Sequence, residues 1–324
     1  MTPSLVSVVV PAYNAAGTIG ENLKALLCQT YPGSVEIIVV DDGSTDGTSE
    51  AVSRFPSVRC LRQENAGPAS ARNRGAEAAR GEIVLFTDSD CRPQVDWVGK
   101  ILEGFSSDDI GAVCGSYGIA NPSSFLARGI HREILYRHRV LMGEIVNCFG
   151  SYNVAIRRDL FLTLGGFDGT YRHASGEDND LSYRLRAQGH RIRFVRGALV
   201  DHFHQEDLRR YLKEQYRHGF WRAKMYRTHP RMAGGDGYTF WKDMAEVPGT
   251  FLHLLLGPWP HLWLGWAAFF LVFEVLWGIV MGASFVDGWR YGGVMWLRAF
   301  MRSAGFGVGA LRFFIGGFFI EKKR

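Results

Sequence analysis

Three short runs of apolar, largely β-branched residues mark the first ninety positions: 5–10, 35–40 and 83–87. Each ends in small polar or acidic residues. Between them the apolar positions change to helical spacing: Ile19, Leu23, Leu26 and Leu27 within 17–29, a short stretch at about 46–54, and Ala69, Ala71, Ala76, Ala78 and Ala79 within 68–79. Strands alternating with helices predict an α/β fold with a mostly parallel central sheet and right-handed crossovers. Such sheets bind ligands beyond the carboxyl ends of their strands. The polar clusters fall there: Pro11-Ala12-Tyr13-Asn14, Asp41-Asp42-Gly43-Ser44 and Thr87-Asp88-Ser89-Asp90.

Beyond 110 the pattern is mixed. A Gly-rich stretch at 149–155 precedes a short helix, then Leu164-Gly165-Gly166-Phe167-Asp168, then Ser175-Gly176-Glu177-Asp178-Asn179-Asp180 leading a helix that Gly189 ends. Acidic residues at that start suit the positive end of a helix dipole. Residues 207–231 predict a basic amphipathic helix, with Arg209, Arg210, Lys213, Arg217, Arg222, Lys224, Arg227 and Arg231 against Asp207 and Glu214. Residues 262–282 hold one ionisable side chain, Glu274, and are long enough to span a bilayer. Trp259, Trp263, Trp266 and Trp277 favour a membrane over a buried core helix. Within 294–320, Arg298, Arg302, Gly305, Gly309, Arg312 and Gly316 share one narrow helical stripe. That stripe suits an interfacial helix, or a second span packing its glycine face on the first. The tail Glu321-Lys322-Lys323-Arg324 favours a cytoplasmic end.

The 324 residues carry 37 Lys+Arg and 32 Asp+Glu, a net charge of +5. Residues 1–199 hold 21 basic and 22 acidic side chains, while 200–324 hold 16 and 10. A cationic excess joined to apolar helices points to an anionic membrane surface and away from nucleic acid. Five cysteines without a C-x-x-C pair read as reduced thiols. The chain opens straight into a strand with no apolar leader, so the expectation is a cytoplasmic catalytic part at the inner membrane. The domain expectation is 1–205 for catalysis, 206–250 for basic interface helices and 251–324 for a membrane-associated region.

Asp88 and Asp90 stand at i and i+2 on a strand-end turn, where two carboxylates can share Mg²⁺ or Mn²⁺ with a substrate diphosphate. Asn65 and the strand-end aspartates can hydrogen-bond a base and ribose, and Arg72 or Arg74 at a helix start can meet phosphate. Neither G-x-G-x-x-G nor G-x-x-x-x-G-K-[ST] occurs, which argues against dinucleotide and P-loop enzymes.

Taken together, Val-Pro-Ala-Tyr-Asn (10–14), Val-Asp-Asp-Gly-Ser-Thr-Asp-Gly-Thr (40–48), Asn-x-Gly-x-x-x-Ala-Arg-Asn (65–73), Thr-Asp-Ser-Asp (87–90), Gly-Gly-Phe-Asp (165–168) and Gly-Glu-Asp-x-Asp-Leu (176–181) resemble family 2 glycosyltransferases of GT-A fold. The resemblance covers 5–200. It implies an inverting transfer from a nucleotide-diphosphate sugar, assisted by a divalent cation. It implies that Pro11, Tyr13, Asp41 and Asp42 hold the nucleobase and ribose. Asp88 would meet the ribose or metal, Ser89 would lie with the donor, and Asp90 would bind the metal. Asp178 matches the catalytic base, and its alternative is a helix N-cap. Some related enzymes add a histidine to the metal shell, which makes His202, or else His204, a candidate ligand. The segment 215–221 is similar to the Q-x-x-R-W motif of processive members with its Trp displaced, which favours adding one sugar to a lipid-linked or polysaccharide acceptor. Membrane lipids and a second copy of the chain are further expected partners. A non-catalytic scaffold binding nucleotide-sugar or glycan is the alternative, and a nucleotidyltransferase would need a Gly-rich phosphate loop that the chain lacks.

Overall fold

The computed structural model describes residues 3–171, 176–232, 234–235, 239 and 241–316. It divides into two compact units, 1–120 with 141–203, and 121–140 with 204–324. The division at 203 falls close to the sequence-drawn boundary at 205. The segment 121–140, however, groups with the C-terminal helices rather than with the sheet.

Nine strands of the first unit form one sheet among the described residues: β1 (Leu5–Ala12), β2 (Ser34–Asp41), β3 (Arg59–Arg62), β4 (Ile83–Thr87), β5 (Cys91–Pro93), β6 (Ile110–Ile119), β7 (Ile145–Val146), β8 (Asn153–Arg157) and β9 (Arg191–His202). Their order is β3-β2-β1-β4-β8-β6-β9-β5, with β7 also on β9. β1 to β4, β6 and β9 all point one way, and β5, β7 and β8 run against them. Val6 to Val10 and all of β4 are buried, as strands covered on both faces must be. The covering helices are α1 (Ile19–Leu27), α2 (Thr48–Ser53), α3 (Pro68–Ala78), α4 (Trp97–Leu102), α6 (Arg158–Thr163) and α7 (Glu177–Ala187), α5 lying in the second unit. α3 settles tightly on β1 because Gly75 leaves room: a Cβ there would stand 2.3 Å from Val9.

The second unit is helical: α5 (Phe125–Tyr136), α8 (Leu208–Thr228), α9 (Trp241–Leu255), α10 (Pro260–Val280) and α11 (Phe285–Ala310). Pro258 lies between α9 and α10, and Pro260 opens α10, where proline's fixed φ suits a first turn. α10 alone among the described helices is long and apolar enough to cross a membrane. The Arg/Gly stripe of α11 is a packing seam. Its glycines meet α8 and not the spanning candidate: Cβ atoms at Gly305 and Gly309 would stand 2.0 and 2.4 Å from the carbonyl oxygens of Tyr216 and Phe220. Arg312 stacks over Phe220 and Phe313, and the tail 321–324 lies outside the described residues.

Charge is concentrated inside this unit. Arg298 lies 2.6 Å from Glu133 and 2.5 Å from Glu246; Arg137 lies 2.7 Å from Glu133 and 2.8 Å from Asp243. Lys242 joins Glu246 at 2.8 Å to Glu274 at 3.0 Å, and Arg302 reaches Asp243 and Glu246. Four carboxylates thus meet four cations on α5, the turn directly after it, α9, α10 and α11. Buried charge is tolerated only when paired in this way.

Candidate active site

The strand ends form the site by hydrogen bonding between neighbouring loops. Asn14 holds a positive φ of 49° and accepts the Thr45 N–H at 2.8 Å, while its own N–H donates to Ser44 Oγ at 3.0 Å. Pro11 is buried in β1 and Tyr13 is exposed on this stitched loop. Asp41 is buried, accepting from the Ser44 N–H at 2.9 Å and from Ser49. Burial alone would raise its carboxyl, but the Ser44 and Ser49 hydrogen bonds hold it below the usual range. Asp42, also buried, accepts from Gln63 Nε2 at 2.7 Å, Ala66 N–H at 2.9 Å and Gly67 N–H at 2.8 Å. These aspartates therefore organise the loops at the strand ends, and Asp42 fixes the segment that presents the exposed Asn65.

Asp88, Ser89 and Asp90 follow β4, all partly exposed. Asn22, fully buried on α1, pins their turn by donating to the Asp88 and Cys91 carbonyls at 3.0 and 2.7 Å. The antiparallel register of β5 and β9 pairs Cys91 with His202, which brings His202 Nε2 to 3.5 Å from Asp90 Oδ1. The ring of Tyr117 packs edge-on against His202 and stacks on Tyr152 at 3.6 Å. Ligand atoms of Asp90, Cys91 and His202 lie within 4.8 Å of one another. Burial pushes the Cys91 thiol well up, which disfavours the thiolate that ligation needs, and Asp90 and His202 supply an oxygen and a nitrogen donor. Surrounding protein raises the Asp90 carboxyl, with His202 opposing and Asp88 adding to the shift. Carboxylate with imidazole suits Mn²⁺. His204 lies in the helical unit, its Nε2 3.4 Å from His131 Nδ1.

Arg72 lies on α3, as expected, but its partners are carboxylates. It is 1% exposed, with its guanidinium forked between Asp88 Oδ1 at 2.7 Å and Glu177 Oε1 at 3.1 Å. Burial opposes its charge, but Asp88 and Glu177 more than offset that and raise its pKa. It is therefore a fixed cation between two carboxylates rather than an exposed phosphate contact. Glu177 is the first residue of α7, and Asp178 follows it, half-buried.

The cap of α7 is Gly176, at φ 126°, and no side chain caps it, so the N-cap alternative for Asp178 is not what forms. Asp178 Oδ1 accepts the Asn179 N–H at 2.8 Å. Burial, then the adjacent Glu177 charge, push its carboxyl up to about 7, with the Asn179 N–H and Arg72 opposing. A carboxylate poised near neutrality can take a proton from a substrate hydroxyl and remain charged when free.

Two braces hold the Gly-Gly-Phe-Asp turn, one of them from α7, and sequence reasoning missed both. Asn73 accepts the Phe167 N–H and donates to the Phe167 carbonyl, each at 2.8 Å. Arg184 is held by Asp180 at 2.8 Å and donates to the Leu164 and Gly166 carbonyls at 2.6 and 2.7 Å. The Gly-Gly-Phe-Asp turn is thus gripped from α3 and from α7. For Asn22 the signal was present: it is a polar residue on the apolar face of α1, among Ile19, Leu23 and Leu26.

Comparison with known proteins places the chain in a family. The model of glycosyl transferase family 2 matches residues 7–165. Glycosyltransferase AglE of Haloferax volcanii is 30% identical over 230 residues, covering 68% of this chain and 74% of its own. The probable glycosyltransferase YdaM of Bacillus subtilis is 30% identical over 258 residues, 74% of this chain and 57% of that protein's length. In fold, the chain matches the mannosyltransferase PcManGT of Pyrobaculum calidifontis, solved with GDP-Man and Mn²⁺, at a TM-score of 0.58 and 22% identity over 97% of this chain and 88% of that one. The chain is a glycosyltransferase and belongs to glycosyl transferase family 2.

Proposed function

We propose that this glycosyltransferase moves one sugar from a nucleotide-diphosphate sugar, with inversion at the anomeric carbon, to a hydroxyl of a lipid-linked or polysaccharide acceptor at the cytoplasmic face of the inner membrane. The observation that carries this reading is the Arg72 fork. It ties Asp88, in the donor-side acid pair, to Glu177, the neighbour of Asp178, so that both sides of a displacement share one rigid frame. Inversion in one step needs a base on the face opposite the leaving diphosphate. Asp178 fills that role: its carboxylate accepts the acceptor hydroxyl's proton as the new glycosidic bond forms. Tyr13, Asn65 and Ser89 are the donor-side groups open to a nucleotide, on a frame built by Pro11, Asp41 and Asp42.

A divalent cation, Mg²⁺ or Mn²⁺, fits the donor set of Asp90 and His202, with Asp88 beside them. When bound, such an ion neutralises charge on the departing diphosphate. The Mn²⁺ and GDP-Man of the mannosyltransferase neighbour support this donor chemistry. The exposed cations of α8 and the apolar surface of α10 support the membrane location.

The test is purified protein with Mn²⁺ or Mg²⁺ against a panel of nucleotide-sugars and a polyprenyl-linked acceptor. It reads nucleoside diphosphate release and the anomeric configuration of the product. Donor-dependent release with an inverted linkage is expected. A donor-dependent thermal shift without release for any donor would favour the binding scaffold, neither shift nor release with any donor would overturn the nucleotide-sugar reading, and a retained linkage would remove the base role from Asp178.

A further inference from the structure

The helical unit carries its polarity the opposite way to a water-soluble domain. Its ion pairs are turned inward, while Leu254, Leu255, Trp259, Leu264, Phe269 and Val280 stand exposed on α9, α10 and the link between them, Leu255 at 70% and Val280 at 64%. Soluble proteins keep charge outside and apolar bulk within. An apolar shell over paired charges is the arrangement hydrocarbon demands.

The length of α10 invites a simple crossing, and its packing argues against one. α10 is bound to α9 by the Lys242–Glu274 pair and by Trp266 Nε1 donating to the Gly249 carbonyl at 2.9 Å. It is bound to α11 at Gly292, where a Cβ would stand 2.6 Å from Val275. α11 in turn touches α8 backbone to backbone at Gly219, Gly305 and Gly309. These four helices form one bundle, and α8 exposes Arg209, Arg210, Lys213 and Arg227 on its surface. Carrying α10 and a returning α11 through a bilayer would draw those cations toward hydrocarbon, where each is costly. Left at a surface, the same cations are attracted to an anionic leaflet.

We propose that the helical unit is monotopic: the α9–α10 connection and the apolar outer face of α10 enter one leaflet of an anionic bilayer and return, while the cations of α8 rest on the headgroups of that same leaflet. This rests on the membrane location given above and decides how the chain meets the lipid. A monotopic unit needs no second crossing, so the arginines of α11 never face the bilayer centre.

Single cysteines test it. Cys28 and Cys60, the two exposed native cysteines, are replaced by Ser, and the remaining three are buried. Pro258→Cys, Trp259→Cys and Arg209→Cys are then introduced one at a time, two tip positions guarding against the loss of either variant. A membrane-impermeant maleimide is applied to right-side-out and to inverted membrane vesicles, and again after detergent. The proposal expects position 209 to label from one face only, and positions 258 and 259 to label from neither until detergent is added. Labelling of 258 or 259 from the face opposite to 209 means a crossing and overturns the proposal while the membrane location stands. Labelling from the same face as 209 in membrane-bound protein means the tip is not inserted, which overturns it equally. Protein that labels everywhere and stays out of the vesicle pellet removes the membrane location itself.

Discussion

Asp178 owes its proton affinity to burial and to the neighbouring Glu177 charge, which together outweigh the opposing Asn179 N–H and Arg72. With a folded value of about 7 against 3.8 when exposed, the native state holds an extra proton between those limits. Stability from this group is therefore complete below pH 4 and declines as pH rises toward 7. Asp178→Asn should raise Tm by a few degrees at pH 8 and give no gain near pH 4, read by thermal unfolding across that range without metal. A loss of Tm at pH 8 would mean that the charge stabilises the start of α7. The same titration predicts that kcat/KM rises with pH to a plateau with an apparent pKa near 7. Arg72 makes a second prediction. Arg72→Lys cannot fork to two carboxylates, and leaving Glu177 buried without its full partner costs on the order of 3 kcal/mol. The expected result is a lower midpoint in urea with kcat reduced more than donor affinity. A change confined to donor KM would return Arg72 to phosphate binding.

Among elements, the strands and the helices between them were legible because their apolar periods are strong: 5–10, 35–40 and 83–87 became β1, β2 and β4, each extended by two residues or fewer at either end. The basic helix expected at 207–231 formed as Leu208–Thr228. What sequence could not supply was the partner of each polar residue. Arg72 looks like an anion contact until the fold encloses it, and the glycine stripe of α11 fits α8 as well as α10 until backbone distances decide. The family resemblance made His202, or else His204, a candidate, and His202 meets Asp90 through a strand register that no local pattern encodes. The α8–α11 seam is testable by volume. Gly305→Val sets a Cβ 2.0 Å from the Tyr216 carbonyl oxygen and should cost about 2–3 kcal/mol, by analogy with overpacked cores. Gly293→Ala, with nothing within 4 Å, should be neutral or stabilise by roughly 0.5–1 kcal/mol through helix propensity. Equal effects in thermal unfolding of the detergent-solubilised protein would refute a backbone-contact seam.

At the scale of the whole molecule, two units divide the labour. One is a sheet whose strand-end loops are tied together by hydrogen bonds. The other is a helical bundle with ionic contents and an apolar exterior. Four exposed cations on α8 would cost about 2.5–3.5 kcal/mol each at a bilayer centre and gain about 1 kcal/mol each beside an anionic surface, so the surface wins by a wide margin. Reversing Arg209, Arg210, Lys213 and Arg227 to Glu should weaken liposome binding and raise the apparent KM for a lipid-linked acceptor, leaving donor KM unchanged. A rise in donor KM alone would move α8 to the donor site.

Donor binding and proton abstraction are assigned here to different carboxylates, Asp90 and Asp178. Donor affinity with Mn²⁺, by calorimetry, and kcat should be measured side by side for Asp178→Asn and Asp90→Asn. Asp178→Asn should bind the donor within about twofold of the parent and lose 10²–10⁴ in kcat, the range a general base supplies, whereas Asp90→Asn should lose metal-dependent donor binding. Near-normal kcat in Asp178→Asn, or donor binding lost in it as in Asp90→Asn, would contradict the assignment of the base.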